Sequence, residues 1–137
     1  MALRDILRGF FSRGRKVQDE PLGARGEALA ARYIQHNLGM KVVARNERFS
    51  GGELDIVAIE GTDIVFIEVR TRQTEAFGSP ERTIRTAKRR FLRHAAKLFI
   101  AQRRLENLTP RFDVVAIIWP KEGDPEIRHH RNAFPPR

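Results

Sequence analysis

The chain predicts an α/β domain, a mixed central sheet flanked by helices, and three observations carry that reading. Residues 53–72 read as two hydrophobic strands joined by a polar turn. An alanine-rich helical pattern precedes them, and a long basic helical pattern separates them from an almost continuously apolar strand at 111–119. The order is helix, three strands, helix, then one or two strands, which is an α/β sandwich around a mixed sheet.

Taken in order, residues 1–19 stand apart as a basic arm, and 20–137 form a single domain. In the arm, Leu3, Ile6, Leu7, Phe10 and Phe11 recur at helical spacing with Arg4 and Arg8 between them, until Ser12-Arg13-Gly14-Arg15-Lys16 ends the pattern. A short basic amphipathic helix of this kind either meets a membrane surface or protein partner or packs on its own domain. Residues 21–38, stopped by Gly39, read as a helix with Ala24, Glu27, Ala31, Ile34 and Leu38 on one stripe. Glu27 thus falls on the face expected to be buried, either as a salt-bridge or capping residue or as a carboxylate offered to the sheet. Residues 41–49 form the first strand, and Ser50-Gly51-Gly52 turns the backbone sharply into the next.

The central pair of strands carries charges where strands rarely do. Alternation puts Leu54, Ile56 and Ala58 on one face and Glu53, Asp55, Val57 and Ile59 on the other. In the second strand Ile64, Phe66, Glu68 and Arg70 share a face opposite Val65, Ile67 and Val69. A hairpin with Ile59 opposite Ile64 would set Asp55 opposite Glu68 and Glu53 opposite Arg70. Two facing carboxylates repel unless something offsets the charge, and a divalent cation held by oxygen ligands does so. The other reading is a polar strand edge with an Arg70–Glu53 ion pair.

After a loop at 73–78, Ser79-Pro80-Glu81 has the residues of a helix start: a cap, a proline at the first turn, and an acid at the positive end. That helix is expected to reach about Glu106, with Ile84, Ala87, Phe91, Ala95, Leu98 and Phe99 buried and Lys88 on the margin of the stripe. Lys88 either reaches the sheet or snorkels on a basic surface. The apolar strand at 111–119 suits parallel pairing and burial on both faces, and strand, helix, strand fits a right-handed crossover. A turn at 120–125 then leads to a polar edge strand at 126–131. Adjacent His129 and His130 would point to opposite faces, which argues against shared ligation.

Composition narrows the function classes. With 137 residues the chain holds one domain and an appendage. It has no cysteine, so disulfides and cysteine-based zinc sites are excluded. The longest apolar run, 114–119, is six residues against the roughly 20 needed to span a bilayer, and arginines interrupt every apolar cluster before Lys16, so a cytoplasmic location is expected. Net charge is +9, and from Arg82 to Arg104 there are nine basic residues and no acidic one. Such a one-sign field suits a polyanion, most simply nucleic acid, with an anionic membrane or a ribosomal surface as rivals.

Gly26-Glu27, Arg45-Asn46, Gly52-Glu53-Leu54-Asp55-Ile56-Val57, Phe66-Ile67-Glu68-Val69-Arg70-Thr71-Arg72, Lys88, Arg111-Phe112-Asp113-Val114-Val115 and Asn132-Ala133-Phe134 together resemble the successive motifs of the YraN family. That family is assigned to the restriction-endonuclease-like superfamily, whose PD-(D/E)XK signature marks metal-dependent nucleases. The resemblance implies an α-β-β-β-α-β core, with Asp55 and Glu68 as carboxylates for Mg²⁺ or Mn²⁺ and Glu27 as an accessory one. It implies that Arg70 stands where the signature has lysine. An arginine stays protonated and is no general base, but Arg70 can steady charge developing on a phosphate, and Lys88 can supply the missing ammonium. Arg72, Arg85, Lys88 and Arg89 are expected to hold nucleic-acid phosphates. The implied function is hydrolysis of phosphodiester bonds in DNA, branched or structured DNA included. The alternative is a catalytically inactive nucleic-acid-binding module with the same fold.

Overall fold

A computed structural model describes residues 20–76, 78–80 and 84–137. The basic arm expected over 1–19, and Glu81 and Arg82, lie outside the described residues. The elements are α1 (Leu22–His36), β1 (Lys41–Phe49), β2 (Gly52–Glu60), β3 (Asp63–Arg72), α2 (Thr86–Arg103), β4 (Thr109–Ile118) and β5 (Glu126–Phe134). The five strands lie in the order β1-β2-β3-β4-β5. All neighbours are antiparallel except β3 and β4, which α2 joins as a parallel crossover. This is the expected mixed sheet flanked by helices, consistent with a restriction-endonuclease-like core.

The two sheet faces carry separate cores. On one, Leu29, Ala30 and Ile34 of α1 pack on Ile56, Ala58, Val65, Ile67, Val115 and Ile117. On the other, Leu92, Ala95 and Phe99 of α2 meet Val57, Ile64, Phe66, Phe112 and Val114. Phe66, Phe112 and Phe134 pack in a row across three strands, with ring centroids 5.5 and 4.7 Å apart. β4 is buried on both faces, as its unbroken apolar run requires.

Several details differ from the sequence expectation. The buried stripe of α1 is Gly26, Leu29, Ala30, Ala31 and Ile34, so Ala24 is exposed and Glu27 sits at the margin. The bulkier Leu29 and Ile34 take the sheet face, and Gly26 lets the helix come close. A Cβ on Gly26 would overlap Thr71 Oγ1 of β3 and lie 2.8 Å from Thr71 Cβ. α2 starts at Thr86 instead of at Ser79-Pro80, since Arg85 is still extended with ψ 153°. Its buried face is Leu92, Ala95, Ala96 and Phe99, which leaves Ala87 and Leu98 exposed. Leu54 joins the α2 core beside Val57 and not the α1 core beside Ile56, so the alternation of β2 breaks at Asp55. Among the described residues no helix is long and apolar enough to cross a membrane.

Candidate active site

The break at Asp55 marks a fork in the sheet. β2 and β3 pair from Glu60 opposite Asp63 to Ile56 opposite Ile67, the register that sets Ile59 against Ile64, and no further. Beyond that point β2 stays with β1 as far as Gly52, and β3 stays with β4 as far as Arg72. Asp55 and Glu68 are the first residues past the fork. Asp55 Oδ2 accepts a hydrogen bond from the Val69 N–H at 2.9 Å, replacing a backbone partner that the departing strand no longer offers. The expected pairing of Glu53 with Arg70 is not formed, because Glu53 has left with β2 and accepts from Arg48 Nη2 at 2.7 Å.

Glu68 lies on the α2 side of β3, and its side chain is 9 % exposed with Lys88 Nζ 3.4 Å from Oε1. Burial, and then the Asp55 carboxylate, push its pKa up to about 7 against the pull of Lys88 and Arg70. Burial also raises Asp55, although the Val69 N–H and Lys88 act in the opposite sense. Glu68 Oε2 and Arg70 Nε are buried without a hydrogen-bond partner. Lys88 also sits over the Phe91 ring at 5.5 Å, and that ring packs on Gly52, where a Cβ would come within 3.0 Å of it. The helix therefore braces both the lysine and the entry to β2.

Glu27 approaches from α1, and its pKa is raised by burial and then by Asp55. The fold thus brings Asp55, Glu68, Arg70 and Lys88 together, with Glu27 alongside. It does not gather the rest of the expected set. Arg72 is exposed and donates to the carbonyl of Thr71, Arg85 is exposed, and Arg89 lies over the Phe134 ring at 5.5 Å. Among the described residues no group of three or more His, Asp or Glu side chains stands ready-made around one ion position. The carboxylate pair nevertheless fits a hard cation, since a buried Glu68 with an orphaned oxygen and a half-buried Asp55 that repel each other are what an oxygen-coordinated ion relieves.

A second polar cluster was not read from the sequence. Arg111, 4 % exposed, donates to both oxygens of the fully buried Asp113 at 3.0 Å and to Glu60 and Asp63 at 2.8 and 3.0 Å. His129 Nε2 lies 2.8 Å from Asp113 Oδ2, and the Asn132 N–H donates to Oδ1 at 3.1 Å. Burial works against the charge on Asp113, but these donors outweigh it and hold its pKa below the usual value. The signal was present in Arg111 and Asp113, two residues apart on one face of an apolar strand.

The sequence profile described as "Uncharacterised protein family UPF0102" matches residues 26–117, a span that contains every residue of the fork. A UPF0102 protein of Geotalea daltonii is 39% identical over 119 residues, covering 87% of this chain and 93% of its own length. One of Syntrophotalea carbinolica is 43% identical over 114 residues, covering 82% and 90%. UPF0102 protein RHA1_ro06551 of Rhodococcus jostii is 42% identical over 113 residues, covering 82% and 95%. Since the match runs from the glycine that seats α1 through the strands that build the fork, the chain belongs to the uncharacterised protein family UPF0102, the YraN family.

Proposed function

We propose that the chain is a divalent-cation-dependent nuclease that hydrolyses phosphodiester bonds of DNA, branched or structured DNA included. The observation that carries this reading is the carboxylate pair at the fork, with the buried Glu68 raised to about 7 beside the half-buried Asp55 and Lys88 3.4 Å away. Asp55 and Glu68 would hold Mg²⁺ or Mn²⁺, with Glu27 as accessory. Such an ion supplies Lewis-acid polarisation of a phosphoryl oxygen and lowers the pKa of water. Lys88, from α2, and Arg70, from β3, steady negative charge on the phosphate. Arg72, Arg85 and Arg89 stand outside the carboxylate cluster and would supply cations only for phosphates further along the nucleic acid.

The test incubates wild type and Asp55→Asn with linear, single-stranded and four-way-branched DNA in Mg²⁺, Mn²⁺ or chelator, and resolves the products on a denaturing gel. Metal-dependent cutting that disappears in the variant is expected. Undiminished cleavage by Asp55→Asn rejects the assignment. The second reading, a catalytically inactive nucleic-acid-binding module, is favoured by Arg70 standing at the lysine position of the signature. It predicts salt-dependent binding of all three DNAs and no cutting of any.

A further inference from the structure

Resting on the nucleic-acid reading above, we infer that the outer face of α2 carries a second phosphate track. Arg90, Arg93, His94 and Lys97 there hold a segment of nucleic acid other than the one at the Asp55–Glu68 fork. These side chains and Thr86 line a cleft of about 340 Å³. Lys88 and Lys97 are nine residues apart, about two and a half helical turns, which sets them on opposite sides of the helix. Lys88 meets Glu68 on the sheet side, whereas Lys97 is exposed to solvent. One backbone segment gripped at Lys88 would have to wrap a cylinder about 10–12 Å across to touch Lys97.

The spacing suits phosphates. Arg90 to Lys97 covers about 10 Å along the helix axis, or about three steps of one DNA strand at roughly 3.4 Å each. The charges are also available. Among the described residues Arg90, His94 and Lys97 have no acidic partner, whereas Arg103, six residues further on, is bound to Glu47 at 2.7 Å. Arg93 is pre-set by two hydrogen bonds to the Pro135 carbonyl at 3.0 and 2.9 Å and by the Phe134 ring at 5.4 Å. An acidic protein partner would want apolar anchors amid the charge, but among the described residues Leu98 is the one large hydrophobic side chain exposed. A regular polyanion fits this face better.

The experiment measures duplex-DNA binding by fluorescence anisotropy across a salt series for the full chain, for Arg90→Ala/Lys97→Ala and for the control Arg103→Ala/Lys121→Ala. All four positions are exposed, and circular dichroism checks that each variant folds. Losing two phosphate contacts should lower the slope of log K against log salt by about 2, with a smaller change in the control. Cleavage of the same duplex reports separately on the fork. If nothing is cut but the slope still falls, the nuclease reading fails and the track stands. An unchanged slope overturns the track, and so does binding to phosphatidylglycerol vesicles through Arg90 and Lys97 by a chain that does not bind DNA.

Discussion

Asp55 accepts the Val69 N–H at 2.9 Å across the point where β2 and β3 cease to pair. The carboxylate thus closes the fork that it also furnishes with charge, and the two roles separate by substitution. Asp55→Asn keeps an oxygen for Val69, whereas Asp55→Ala orphans a part-buried N–H at a cost of about 1–3 kcal/mol. Urea unfolding should show Asp55→Asn at or above wild-type stability and Asp55→Ala below it. Equal destabilisation by both would mean that the bond is not what shapes the fork.

Glu68 gives the fold an unusual pH response. A carboxyl raised from 4.5 to about 7 binds its proton better in the folded chain than in the unfolded one. Its contribution is therefore fully present below about pH 4.5 and is lost as pH rises to about 7. The loss is at most about 3–4 kcal/mol, at about 1.4 kcal/mol per unit, and is shared with the neighbouring Asp55. Metal-free melting curves should fall across that window, and Glu68→Gln should flatten the fall and be more stable than wild type near pH 8. Millimolar Mg²⁺ or Mn²⁺ should restore the wild type there. A wild-type profile as flat as that of Glu68→Gln would rule the carboxylate pair out as its source.

Asp113 has the opposite sign. Its depressed pKa means that its contribution is present above about 3.8 and is lost as pH falls through the lower folded value. Replacing it takes two of the four hydrogen bonds from Arg111, which is 4 % exposed and keeps only Glu60 and Asp63, and breaking one side of a buried pair costs up to about 3–5 kcal/mol. Asp113→Ala should therefore shift the urea midpoint far down. Arg111→Met/Asp113→Leu, which removes both charges, should recover much of the loss. If the double variant were as unstable as the single, the network would matter for shape and not for charge.

Gly26 sets how closely α1 approaches β3. Gly26→Ala forces its methyl into Thr71, and overpacking of this kind costs about 1–3 kcal/mol. Gly26→Ala/Thr71→Ala should recover part of that loss, because the overlapping Oγ1 is removed. Denaturant melts of the two variants decide whether the close approach limits stability.

How much of this was legible follows from which interactions are local. Period-two alternation gave the faces of β3 correctly, and the apolar run of β4 declared its double burial. The register of the β2–β3 turn followed from the turn itself. The fork did not, because it depends on β2 following β1 and β3 following β4, a competition between distant strands that no local pattern encodes. The faces of α1 and α2 were misjudged by a fraction of a turn, since alanines allow more than one apolar stripe and tertiary packing chose the one with Leu29 and Ile34 or Leu92 and Phe99. Glu27, Asp55, Glu68, Arg70 and Lys88 could be named in advance because charged residues set in or beside apolar elements stand out. The Arg111–Asp113–His129 cluster escaped because its partners come from three strands.

The division of labour between Arg70 and Lys88 gives the last prediction. Both influence Glu68 electrostatically, but Lys88 also makes the ion pair at 3.4 Å, and it comes from α2 while Arg70 comes from β3. If Lys88 supplies the ammonium that the signature normally takes from the strand, Lys88→Met should cut metal-dependent cleavage by about 10²–10³-fold, the usual effect of removing a donor to developing charge. Its effect on DNA affinity should be small, since one contact among many is lost. Arg70→Lys should then change the rate little. If instead the site is crippled by the arginine, Arg70→Lys should raise the rate and Lys88→Met should matter less. Single-turnover cleavage of the two variants and their combination separates these cases, because a lysine restored at position 70 rescues Lys88→Met only if one ammonium can serve from either element.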